Sequence, residues 1–126
     1  MNKKLVITAS LLIALAIVFG AMAAHMLEKK LSPELLKTWE TAARYQMYGA
    51  LGLLAVGLTA DRFSFKLNYF SGLLLTGIAL FSGCLYLYCF KGAVPGFKTL
   101  AMIVPFGGIS MIGAWTVLGI QLIRSK

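Results

Sequence analysis

An imidazole, an indole, a carboxylate, a guanidinium, two phenols and a carboxamide fall close together in this chain: His25, Trp39, Glu40, Arg44, Tyr45, Gln46 and Tyr48. Ser82 and Tyr86 stand four apart in a later apolar run. Converged, these side chains would form a polar cluster at membrane depth, an arrangement that is expensive in lipid and commonly marks a ligand site or a proton path. The plainer reading makes His25 a hydrogen-bonding residue at a helix end and Trp39, Tyr45 and Tyr48 part of an interfacial aromatic belt. Catalysis asks for more: a nucleophile beside a base, paired acids, or a set of metal ligands. No acid lies inside an apolar run and His25 is the only histidine. Cys84 and Cys89 are five apart, about 140° around a helix, which suits packing better than ligation. The expectation is a protein that is not an enzyme and has no cofactor and no metal.

The elements that must position these groups follow from composition. In 126 residues, 60% are hydrophobic and 13% charged, with a mean hydropathy of +0.85. That is more apolar surface than one small core can bury, so lipid is the expected solvent. The net charge of +8 comes from basic residues grouped between apolar runs, without the basic face and aromatic platform of a nucleic-acid binder. Nucleic acid is therefore not an expected partner.

The pattern predicts an all-α bundle of four transmembrane helices forming one domain over 1–126. The spans are about 5–24, 33–60 with its apolar part at 45–60, 69–90 and 99–123. Lys3-Lys4, the apolar run and Ala21-Met-Ala23 also resemble a signal peptide, but a run of about 20 apolar residues is long enough to cross a bilayer. Retention is the expectation. Ala16, Gly20 and Ala24 form a stripe of small residues suited to close helix contact.

Ser32-Pro33-Glu34 is a start signal for the second helix, with Ser as N-cap and Pro at the first helical position. At 100° per residue Leu35, Trp39, Ala42, Ala43 and Gln46 share one face, and Lys37, Glu40 and Arg44 another. Its apolar part offers only roughly 1.5 to 3 kcal/mol towards insertion, against roughly 3 to 6 kcal/mol for the third span. The second helix thus needs its neighbours, with Arg44 reaching towards the interface. Asp61 to Lys66 is a polar turn, and Lys91 to Lys98, with Pro95-Gly96, a loop. Pro105, followed by Gly107 and Gly108, should kink the last span or break it beside a cavity. Gly83 and Gly113 are further packing candidates. Basic residues tie between the two sides, and the free N-terminal amine tips both termini to the cytoplasm.

Gly20-Ala-Met-Ala-Ala-His25, Trp39-Glu-Thr-Ala with Tyr45-Gln-Met-Tyr48, Leu80-Phe-Ser-Gly-Cys-Leu-Tyr86, and Val104-Pro-Phe-Gly-Gly108 with Gly113-Ala-Trp115 resemble, in this order, the YgdD-like family. These are small four-span membrane proteins of bacterial inner membranes, with relatives in mitochondria, classed as a domain of unknown function. The resemblance implies a four-helix membrane fold without an assigned reaction. The family's usual pattern has a second histidine where this chain has Gly49, so a two-histidine haem or metal site is not implied here. The expected role is a structural, accessory or partner-binding component of the membrane. Its partners would be the bilayer and a second copy or another membrane protein. The alternative is a small transporter or ligand-binding protein built around His25, Tyr45 and Gln46.

Overall fold

A computed structural model describes residues 1–90 and 97–125. The expected loop around Pro95-Gly96 lies outside the described residues. Among those described, the chain is all-α, with no strand. Helix α1 spans Lys3–Leu27, its last five residues wound as a π-turn. Helix α2 spans Pro33–Leu58, and a 3-10 turn at Ala60–Arg62 leads on. Helix α3 spans Asn68–Tyr88 with a π-turn at Ala79–Gly83, and α4 spans Phe97–Arg124.

Local chemistry accounts for the helix ends. Asn2 caps α1, its side-chain oxygen accepting from the Leu5 N–H at 3.2 Å. Ser32 caps α2 through Leu35 N–H at 3.3 Å, with Pro33 at the first helical position. Both caps satisfy N–H groups that the first turn leaves without partners. Hydroxyls on the outer faces fold back onto their own helices. Thr8 donates to the Lys4 carbonyl at 2.9 Å, Ser10 to that of Val6 at 2.8 Å and Thr116 to that of Ile112 at 2.9 Å. Such back-bonding leaves little polarity to present to lipid.

The π-turn in α3 has a packing reason. From Phe70 to Cys89 is about nineteen residues, a little over five turns, which in a regular helix would carry Cys89 roughly 100° out of line with Phe70. One residue taken up by the wide turn restores the register. Phe70, Leu74, Ile78, Ser82 and Cys89 are accordingly all buried.

Helices α1 and α2 pack antiparallel, as do α3 and α4, and α3 lies against α2. At one end the Asn2 N–H donates to the Gly57 carbonyl at 2.8 Å, and the N-terminal ammonium pairs with Asp61. Arg124 and Ser125 border the same shallow cavity as Ser64 and Phe65, so both tails lie at this end. Leu5, Ala9, Leu53, Phe70, Leu74, Ala114 and Leu118 form the main core there. Ala23, Leu27, Trp39 and Cys89 form a second core towards the other end.

The outer surface is apolar: Leu11, Ile17, Val18, Met102, Phe106, Ile109 and Ile112 are all exposed. Among the described residues three helices, α1, α3 and Lys98–Arg124 of α4, are long and apolar enough to cross a membrane. Helix α2 is not among them; its more apolar half begins with Arg44, Tyr45, Gln46 and Tyr48 and contains three glycines.

The small-residue expectations need correction. Ala16 is buried, but Gly20 and Ala24 are exposed, and a Cβ on Gly20 would touch nothing. Gly83 and Gly113 face open space too, and Gly108 makes only ordinary van der Waals contact with Phe81. The close crossing is made by Gly107, expected as a kink or packing residue, together with Gly77, which was not among the candidates. A Cβ on Gly77 would stand 2.8 Å from both the Gly107 oxygen and the Met111 nitrogen, and one on Gly107 would stand 2.8 Å from the Leu80 carbonyl carbon. Helix α4 continues through Pro105 as one element, so the broken-helix alternative does not hold.

Candidate functional site

The buried polar groups gather where α1, α2 and α3 meet. Gln46 is 3% exposed; its Nε2 donates to the Leu12 carbonyl of α1 at 2.8 Å, and its Oε1 accepts from the Tyr86 hydroxyl of α3 at 2.8 Å. One carboxamide therefore ties three helices together. The Trp39 indole, also 3% exposed, donates from Nε1 to the Phe19 carbonyl at 2.8 Å. Ser82, 1% exposed and set in the π-turn, donates to the Ala42 carbonyl at 2.7 Å. Cys89 donates from its sulfur to the Leu35 carbonyl at 3.3 Å.

Rings close the space between these bonds. Phe19, Trp39 and Tyr86 are mutual neighbours, with centroids 4.6 to 5.7 Å apart, and Phe90 stands edge-on to Trp39 at 5.8 Å. These are the tilted and edge-to-face geometries that aromatic quadrupoles favour. In a medium without water, each buried donor needs such a partner.

Of the predicted cluster, the structure thus brings together Trp39, Gln46, Ser82 and Tyr86. It leaves out His25, Glu40, Arg44, Tyr45 and Tyr48, all of which are exposed. His25 sits in the π-turn ending α1, with its side chain outward. Helical phase explains the split in α2: Trp39 and Gln46 lie on the face turned to α1 and α3, and Glu40 and Arg44 are rotated about 100° and 140° away from Trp39. The pair Glu40 and Arg44, set at favourable i, i+4 spacing, does not close into an ion pair. Tyr45, 42% exposed, and Tyr48, 57% exposed, line a lateral groove of about 510 Å³ with Phe81, Met111 and Trp115. Tyr45 packs there edge-on to Tyr48 at 5.5 Å and tilted against Phe81 at 5.1 Å.

Phe19, Cys89 and Ser110, whose hydroxyl donates to the Leu73 carbonyl at 2.7 Å, were missed as members of the polar framework. Their only sequence signal was a helical phase shared with the buried face. No three metal-ligating side chains gather among the described residues. Cys84 and Cys89, both buried, are not joined to each other by a disulfide. The cluster's donors and acceptors are engaged with neighbouring helices. What it can do chemically is fix three helices in register.

The family described as a protein of unknown function, DUF423, matches over residues 19–108. The UPF0382 membrane protein SSP2132 of Staphylococcus saprophyticus is 40% identical over 92% of this chain and 93% of its own length. A UPF0382 membrane protein of Staphylococcus epidermidis is 39% identical over 97% of both chains. YwdK of Bacillus subtilis, another UPF0382 membrane protein, is 34% identical over 97% of this chain and 98% of its own. No solved structure matches. With relatives this similar along nearly the whole length, and three helices of membrane-crossing length and polarity, the chain belongs to the DUF423 family of bacterial membrane proteins of unknown function.

Proposed function

We propose that this protein is a non-catalytic, four-span membrane component, one domain with both termini in the cytoplasm, that acts by binding a partner within the bilayer. The observation that carries this reading is the commitment of Trp39, Gln46, Ser82 and Tyr86 to contacts between helices. A transporter or proton path needs buried groups that remain able to exchange ligands or protons; here Trp39, Gln46, Ser82 and Tyr86 hold helices together. Four crossings are supported by the antiparallel pairing of α2 with α1 along its length. The YgdD-like resemblance implies the same number.

The alternative, a ligand or transport site around His25, Tyr45 and Gln46, loses its geometric basis. Two of the three are exposed and the third is enclosed by its hydrogen bonds. Proteoliposomes carrying the intact chain are expected to show no proton or solute flux above protein-free vesicles. A flux abolished by Gln46→Ala or His25→Ala would contradict the proposal and favour transport. Mild-detergent purification from native membranes is expected to retain a stoichiometric protein partner or a second copy.

A further inference from the structure

The outward face of α2 carries a repeat that the bundle itself uses only in part, Leu54 packing at the edge of the main core. Lys37, Glu40, Arg44, Met47, Leu51, Leu54 and Leu58 follow one another at alternating spacings of three and four residues, the pattern of a seam between two helices. Lys37, Glu40, Arg44, Leu51 and Leu58 are exposed, while Met47 and Leu54 are half-buried. The opposite face, with Trp39, Ala42, Gln46 and Leu53, already meets α1 and α3.

The charged part of the seam lies deep. Trp39 and Gln46 bond to the carbonyls of Phe19 and Leu12, so Glu40 and Arg44 stand between those two levels. There α1 presents exposed Leu15, Ile17 and Val18. Neither Glu40 nor Arg44 has an ion-pair partner among the described residues. An acid and a base unpaired at the depth of bare aliphatic side chains call for a complement from outside the chain.

We propose that the complement is a second copy of this chain, docked α2 to α2 about a twofold axis along the membrane normal. Copies inserted in the same orientation present the two seams in parallel, so Glu40 faces its equivalent one layer from Arg44. An arginine on a helix leans towards the N-terminus. Each Arg44 therefore reaches the level of the other copy's Glu40, and two reciprocal ion pairs form. The pattern is self-complementary: one surface supplies both signs, as an isologous interface requires. Met47, Leu51, Leu54 and Leu58 continue the contact as an apolar zipper. This rests on the partner-binding reading and names the partner.

The test is cysteine cross-linking of the full-length chain in native membranes, with Leu51→Cys on the seam and Leu15→Cys on the exposed face of α1 as control. Leu51→Cys should form a disulfide-linked dimer of this chain, and Leu15→Cys should not. Glu40→Arg or Arg44→Glu added to Leu51→Cys should each abolish the dimer, and the two together should restore it. With the charges intact, absence of the Leu51→Cys dimer overturns the proposal. So does a dimer that ignores both charge reversals, or one that the double exchange fails to restore. Capture of a different membrane protein by Leu51→Cys overturns self-pairing and leaves partner binding standing; a monomer that binds nothing removes both.

Discussion

Gln46 is the residue on which three helices depend, since one side chain accepts from α3 and donates to α1. Replacing it with leucine keeps much of its volume but leaves the Tyr86 hydroxyl without its acceptor. The expected loss is about 1–2 kcal/mol, in line with interhelical hydrogen bonds in membranes and the penalty for an unsatisfied partner. Tyr86→Phe removes the hydroxyl itself and should cost less, about 0.6 kcal/mol. Denaturant titration in mixed micelles would measure both. If Tyr86→Phe were the more damaging, the bridge would not be the source of the effect. His25→Ala, at an exposed site, should stay within about 0.5 kcal/mol of the parent.

Much of this was legible at the level of single residues in α2, because Trp39 and Gln46 fall on one helical face and Glu40 and Arg44 on the other. The position of His25 was not legible. A lone polar residue in a helix-ending turn has no periodicity to give its direction, and the π-turn that sets it leaves no signature in residue type.

At the scale of elements, α3 and α4 approach through Gly77 and Gly107, where a methyl group would meet backbone as well as side chain. Gly107→Ala should therefore force the pair apart, at about 1–3 kcal/mol. Gly113→Ala meets open space and should be neutral or stabilising by up to about 1 kcal/mol, through helix propensity alone. Comparing the two variants by thermal unfolding in detergent checks the claim, and equal effects would contradict it.

Composition revealed that glycine would serve close packing, but not which glycines. Gly83 and Gly113 look as suitable in sequence as Gly77 and Gly107, and only the pairing of α3 with α4 distinguishes them. The π-turn at Ala79–Gly83 was hidden for a related reason. It is required by a match between the two halves of α3 and α2, which no local pattern encodes.

For the whole molecule, the architecture depends on whether α2 crosses the membrane. Its apolar half is short, and charges near the bilayer centre cost about 2.5–3.5 kcal/mol each on the insertion scale. Against this stand its antiparallel packing along α1, the bonds from Trp39, Gln46 and Ser82, and the placement of both tails at one end. The bonds to α1 and α3 would be made and kept only with α2 held inside the bundle. Among the described residues three helices are long and apolar enough to cross a membrane; on the proposed four-span reading the fourth is held in the bilayer by its neighbours.

The direct measurement is the side from which single cysteines react with a membrane-impermeant thiol reagent in intact vesicles. Ser64→Cys and Ser125→Cys should be labelled from one side and Lys29→Cys from the other. Labelling of Lys29→Cys and Ser64→Cys from the same side would mean that α2 does not cross.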